Sequence, residues 1–220
     1  MSRSLLKKVD HISYACEHGS IEKWAWFHIE VEGGTLINRI DDVRPDDLDS
    51  SMKIWCIDYG EFGVALIEGV DRAQKSQVTK FVERHGDHSC QHVAYDTYDL
   101  AAFQARMSEL GGSPRGKTLV RDDGFGTLRQ MFARGYAAGD AAEASFPEYV
   151  QRPDVGDVID GDDVAITFAE ETGKGFYDQI EDAVAAEDEA PFFDFTRMPA
   201  DWQVPTPSPV APRKMEAMSR

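Results

Sequence analysis

The chain has 220 residues, a length that suits one ordinary domain or a close pair of half-domains and can bury a core without disulfides. Its 23 Lys and Arg stand against 40 Asp and Glu, a net charge of −17, which argues against a nucleic-acid binder and against docking on anionic membranes. The hydrophobic share of 42% is ordinary, and neither a membrane-spanning apolar run nor the apolar stretch of a signal peptide is seen. Cys16, Cys56 and Cys90 are far apart and form no CxxC pair, which fits a reducing cytoplasm better than a disulfide framework or a zinc knot.

In chain order, Asp10-His11-Ile12-Ser13-Tyr14-Ala15 reads as a strand. Ser20 to Phe27 reads as a capped helix with an acidic first turn. Thr35 to Ile40, Met52 to Ile57 and Gly63 to Glu68 are strands, the last two joined at a Tyr59-Gly60-Glu61 turn. A helix over 74–84 links this set to a second one. Gln91-His92-Val93-Ala94-Tyr95-Asp96 resembles the first strand, and a helix from Asp99 to Leu110 closes at Gly111-Gly112. Lys117 to Val120, a turn at Asp122-Asp123-Gly124, Thr127 to Ala133 and Ala144 to Gln151 follow. Both sets run βαβββ, and the interval from His11 to Glu68 matches that from His92 to Glu148 to within one position. Duplication explains that agreement best.

Residues 173–188 read as a helix, with Phe176, Ile180 and Val184 four apart. Six of the ten prolines fall between Pro191 and Pro212, so 190–220 is expected to be an extended tail. The organisation is therefore one domain over 1–189. It holds modules at 9–72 and 90–152, a linker helix at 74–84 and a helix at 173–188, followed by the tail.

Strand alternation selects the candidate ligands. Glu148 shares a face with Phe146 and Val150, and a glutamate in an apolar strand is costly to bury uncompensated. A divalent metal removes that cost, and imidazole with carboxylate suits iron, nickel, zinc or manganese. His11 and His92 hold equivalent places in the repeat and can converge with Glu148 if the half-sheets curve into one cleft. Two His and one carboxylate leave positions open on the metal. Glu68, the apparent partner of Glu148 in the first module, reads as a strand-end glutamate facing water, with a fourth ligand as the other reading. His18 and His28 read as ordinary core or rim histidines, and the loop His85-Gly86-Asp87-His88 reads as solvated surface. Tyr14, Tyr95, Trp24 and Trp26 read as core.

Several segments resemble the vicinal oxygen chelate superfamily and, more narrowly, the catalytic domain of 4-hydroxyphenylpyruvate dioxygenase. Val9-Asp10-His11-Ile12 resembles its first ligand strand. Lys75-Ser76-Gln77-Val78, then Gln91-His92-Val93-Ala94, resembles its K-S-Q-I helix and G-x-Q-H-I-A strand. Gly126 to Phe132 is similar to G-x-L-x-Q-I-F, Phe146 to Arg152 to F-F-E-I-I-Q-R, and Gly173 to Tyr177 to G-x-G-N-F. The resemblance covers about residues 9 to 186. It implies an α+β fold, two βαβββ modules forming an open barrel, with a C-terminal helix and tail. It implies Fe(II) on His11, His92 and Glu148, dioxygen as co-substrate, and oxidative decarboxylation and hydroxylation of a small-molecule 2-oxo acid. It places Gln77, Gln91 and Gln130 as polar groups of the pocket, with Phe132 and Tyr177 sandwiching a ring. Homo-oligomers are compatible with it.

Departures from the family pattern bear on the substrate. Met52 and Ile67 stand where the family has serine and asparagine, so that wall is apolar. A buried phenol without partners costs about 1–3 kcal/mol. The expected substrate is accordingly a less polar 2-oxo acid, aromatic or branched. Two alternatives share the scaffold. One is a glyoxalase-type isomerase or lyase using Ni or Zn with Glu68 as fourth ligand. The other is a metal-free small-molecule-binding protein of the bleomycin-resistance kind.

Overall fold

The computed structural model describes residues 4–122, 127–153 and 170–206. The turn expected at Asp123 and Gly124 and the tail beyond residue 206 lie outside them. Strand β1 (Leu6–Cys16) is followed by helix α1 (Ile21–Trp26), whose last turn widens into a π-helical turn over Phe27–Val31. Strands β2 (Thr35–Ile40), β3 (Ser50–Asp58) and β4 (Gly63–Asp71) complete the first βαβββ set. Helix α2 (Gln77–His85) leads to β5 (Ser89–Thr97), α3 (Leu100–Leu110), β6 (Leu119–Asp122), β7 (Thr127–Phe132) and β8 (Phe146–Gln151). Helix α4 (Glu170–Ala185) comes last, starting and ending three residues earlier than the periodicity predicts.

The strands form one eight-stranded sheet in the order β2-β3-β4-β1-β5-β8-β7-β6. Within each set the first strand pairs in parallel with the last: β1 with β4, and β5 with β8. The two sets meet where β1 runs antiparallel to β5. Sequence duplication thus appears as a repeated half-sheet with its seam at the centre.

Alternation along the strands divides the side chains between two faces. The inner face supplies Ala15, Met52, Ile54, Cys56, Ala65, Ile67, Phe132 and Phe146, which pack against Val78 and Phe81 of α2 and Phe176, Tyr177 and Ile180 of α4. On the outer face, Trp55, Ile57, Val64 and Leu66 hold α1 through Ile21 and Ala25. Met131 and Tyr149 hold α3 through Leu100 and Met107. Phe192 joins that last cluster, so the tail begins as a packed segment. It continues through a bridge from Gly112 to Phe193 and a short 3-10 turn at Phe195–Arg197.

Local chemistry sets the helix ends. Asp99 accepts a hydrogen bond from Ala102 N–H at the start of α3, and Ser76 accepts from Val78 N–H at the start of α2. Gly111 ends α3 with φ +112°, a conformation that favours glycine. Gly69 lets α2 approach β4, because a Cβ there would stand 2.1 Å from the Thr79 hydroxyl. Among the described residues no helix is long and apolar enough to cross a membrane.

Candidate metal centre

His11 on β1, His92 on β5 and Glu148 on β8 meet at the seam of the sheet. Each offers one ligand atom, and the three atoms lie within 4.8 Å of one another. His11 Nε2 is 3.4 Å and His92 Nε2 is 3.3 Å from the same oxygen, Glu148 Oε2. The imidazoles are 5 % exposed and Glu148 is fully buried. That oxygen has no well-formed hydrogen bond among the described residues, so only the two facing imidazoles offset the burial of its charge. These three residues could hold a metal ion, and a divalent cation at the shared point would balance the carboxylate and use both imidazole lone pairs.

The groups behind the triad fix which atoms face that point. His11 Nδ1 is 2.9 Å from Asp10 Oδ1, and His92 Nδ1 is 3.3 Å from Gln91 Oε1. In each half, then, the residue just before the histidine holds its Nδ1 and turns Nε2 inward. Such support orients a ligating imidazole and sets its tautomer. Irregular pairing of β1 with β5 at Val9/His11 and at Ser13/Tyr14 brackets the segment, and bulges of this kind re-aim side chains. On Glu148, Gln130 Nε2 donates to Oε1 at 3.0 Å, leaving Oε2 turned to the two imidazoles. Asp10 is itself gripped by Arg152, with Nε 2.6 Å from Oδ2 and Nη2 2.8 Å from Oδ1.

The charges follow from this packing. Burial opposes a charge on His11, but Glu148 and then Asp10 outweigh it and raise its pKa to about 9. Burial likewise opposes the Glu148 carboxylate, but His11 and His92 hold its pKa down at about 2. For His92 burial wins and lowers its pKa. Burial also disfavours charge on Asp10, yet the Arg152 guanidinium holds it far below the usual carboxylate range.

A small, mostly apolar pocket abuts the triad, lined by Ser13, Ile54, Ala65, Ile67, Phe132 and Phe176 together with His92 and Glu148. A more open cleft adjoins His11 and reaches Lys8, Asp10, Phe62 and Arg152. Ala65 lines both.

The other residues singled out in the sequence fall in several places. Gln91 contacts His92, and Gln130 donates to Glu148. Phe132 and Ile67 line the pocket. Met52 is fully buried in the inner core and does not line it. Gln77 is buried and donates from Nε2 to the Tyr177 carbonyl at 3.0 Å, tying α2 to α4. Tyr177 does not form the sandwich expected of it. Its hydroxyl lies 2.8 Å from Ser50 Oγ and 3.2 Å from Ser76 Oγ. Phe176 stands beside Phe132 instead, 4.9 Å between ring centroids, and 5.3 Å from His92. Neighbouring residues on a helix point about 100° apart, so one position changes the wall.

Glu68 requires a second correction. It is fully buried, not turned to water, and it lies on the outer face of β4. Lys53 Nζ is 2.5 Å from Oε1, and Ile21 N–H donates to Oε2 at 3.0 Å, capping α1. The register identifies the true counterpart of Glu148. His92 pairs with Phe146 and Ala94 with Glu148, whereas His11 pairs with Gly63 and Ser13 with Ala65. Ala65 therefore occupies the place in the first half that Glu148 occupies in the second. The histidine loop also differs from expectation. His88 stacks between Tyr14 and Trp24, at 4.3 and 3.9 Å, and His28 Nε2 is 3.0 Å from His88 Nε2.

Sequence reasoning passed over Ser13, Phe176, Asp10 and Arg152. Alternation from His11 would have found Ser13, and the residue preceding each histidine would have found Asp10. Arg152 carried no local signal.

A sheet of two βαβββ halves, curled open around a central site, is the vicinal oxygen chelate fold. Neither a protein-family model nor a curated protein matches the sequence. Among solved structures, a triple mutant of 4-hydroxymandelate synthase from Streptomyces coelicolor is similar with a TM-score of 0.58 and 18% identity, over 70% of this chain and 51% of that one. The chain thus spans about half the length of that protein. Methylmalonyl-CoA epimerase from Mycobacterium tuberculosis aligns with a TM-score of 0.47 and 20% identity, over 70% of this chain and 93% of the epimerase.

Proposed function

We propose that this protein is a non-haem Fe(II) dioxygenase that oxidatively decarboxylates and hydroxylates a 2-oxo acid less polar than 4-hydroxyphenylpyruvate. The observation that carries the reading is the convergence of two Nε2 atoms on one Glu148 oxygen, with an apolar pocket against His92 and Glu148. Two imidazoles and one carboxylate leave coordination positions for substrate and dioxygen. Iron would supply Lewis acidity and the redox couple. In the net reaction carbon dioxide leaves, one oxygen atom ends in the new carboxylate and the other in a hydroxyl group.

The chain's own residues have separate tasks. Asp10 and Gln91 orient the two imidazoles, and Gln130 turns the Glu148 carboxylate. Phe132 and Phe176 exclude water and hold the organic part of the substrate. Ile67 gives the pocket an apolar wall, which favours a branched or unsubstituted aromatic side chain over a phenol. Lys8 beside the cleft offers a local positive charge to an anionic substrate, against the net charge of −17.

Ala65 and Glu68 weigh against the isomerase with four protein ligands, since the fourth carboxylate is spent on Lys53 and α1. The test is an oxygen-consumption screen of the Fe(II)-loaded protein across 2-oxo acids, with carbon dioxide measured in parallel. Stoichiometric consumption and release for at least one acid is expected. Neither gas changing with a broad panel, in protein that has retained its iron, overturns the proposal.

A further inference from the structure

Apart from His92 and Glu148 of the triad, Ser13 is the polar residue of the pocket wall. It is fully buried, and its Oγ has no hydrogen-bond partner among the described residues. It lines the pocket with His92 and Glu148, to neither of which it is hydrogen-bonded, and with Ile54, Ala65, Ile67, Phe132 and Phe176, none of which offers a side-chain hydrogen bond. A buried hydroxyl left in such surroundings forfeits the hydrogen bonds it makes to water in the unfolded chain. A methyl group would fill the same space without that loss. The arrangement therefore has the form of a donor kept for something that enters the pocket.

Its position says which part of the ligand it meets. Ser13 follows His11 by two residues on one face of β1, and across the seam it pairs with His92 of β5. It also pairs with Ala65, the small residue shared by the pocket and the open cleft. The hydroxyl is thus carried beside both histidines rather than at the far apolar end near Ile67. A ligand reaching the triad brings its most polar end there.

We infer that Ser13 is a substrate-positioning residue whose Oγ–H donates a hydrogen bond to a carboxylate or keto oxygen of the 2-oxo acid seated at the triad. This rests on the dioxygenase reading. Ser13 contributes no metal bond; it selects one orientation of the headgroup, with the side chain directed at Phe132 and Phe176. A donor in a dry pocket facing an anionic oxygen makes a strong hydrogen bond, so its removal should be felt chiefly in ligand affinity.

The test uses the full chain loaded with Zn(II), which binds the same ligand set without turnover. Calorimetric titration measures Zn(II) affinity and then the affinity for phenylpyruvate and for 3-methyl-2-oxobutanoate, in wild type and in Ser13→Ala. The expected result is a loss of about tenfold or more in affinity for the oxo acid that binds wild type, with Zn(II) affinity within twofold. The melting temperature of the ligand-free variant should be unchanged or raised, which a structural role for the hydroxyl would not produce. Unchanged oxo-acid affinity overturns the role of Ser13 and leaves the dioxygenase reading standing. Loss of Zn(II) binding as well makes the hydroxyl structural and also overturns it. Wild-type protein that binds neither acid fails the substrate reading itself, and the role of Ser13 with it.

Discussion

His11 and His92 meet edge to face, 5.5 Å between ring centroids at 80°, each with Nε2 turned to the same oxygen of Glu148. They come from the antiparallel strands that join the two halves of the sheet. The contact explains why one ion could satisfy three buried groups that otherwise perturb one another's protonation.

Removing one arm of this arrangement should separate metal binding from folding. His92→Ala is expected to lower Zn(II) or Fe(II) affinity by at least 100-fold while far-ultraviolet circular dichroism remains that of wild type. Metal content after gel filtration checks it, and a variant that retains a full equivalent of metal removes His92 from the ligand set.

Asp10 links His11 to Arg152, so its replacement should have two effects. Asp10→Asn leaves a largely buried guanidinium without its carboxylate, and breaking such a pair costs about 3–5 kcal/mol. It also loosens His11, for which about 10–100-fold in metal affinity is expected. Denaturant melts and metal titrations measure the two. Gln91→Ala should show the affinity loss with much less of the stability loss.

Glu68→Ala tests the opposite face of the sheet. The loss of the α1 cap should destabilise the protein by about 1–2 kcal/mol, with a further contribution from the Lys53 pair. Metal affinity should stay within twofold. A Glu68→Ala protein that folds but no longer binds metal would restore the fourth-ligand reading.

Asp87 makes stability depend on acid. Its carboxylate accepts from Ser20 Oγ at 2.6 Å, Lys23 Nζ at 2.7 Å, Trp24 Nε1 at 2.9 Å and Glu17 N–H at 2.9 Å. Burial disfavours the charge, but Lys23 and Ser20 outweigh it and hold Asp87 well below the usual carboxylate range. A depressed carboxylate contributes stability above the unfolded-state pKa, about 3.9, and loses it as pH falls toward the folded value. Asp87→Asn should therefore be less stable than wild type at pH 7, and the difference should narrow below about pH 4. Urea midpoints between pH 3 and 7 follow this directly.

Ile67→Asn returns a polar group to the apolar pocket wall. It should shift preference toward 4-hydroxylated aromatic oxo acids, read as the ratio of kcat/KM values. An unchanged ratio would show that Ile67 does not face the substrate's distal end.

The repeat, the sheet and the triad were legible because His11 and His92 stand in matching strands and Glu148 is an anomaly in an apolar one. Glu68 was misread because counting along the chain cannot see strand register. The pairing of His11 with Gly63 shifts the equivalence by three positions, onto a residue with no side-chain chemistry to mark it. Tyr177 was assigned through resemblance, and a helix turns its neighbour, Phe176, to the pocket. The Arg152 pairing spans the whole domain, and no local pattern announces it.

One member of the triad belongs to the first half and two to the second, so an ion held by all three would rivet the molecule along its midline. Loading would reinforce the joint rather than either half, by about 2.7 kcal/mol when free metal is a hundredfold above Kd. Chelation would then reveal itself first as cleavage or exchange near β1 and β5, while the outer helices kept their protection.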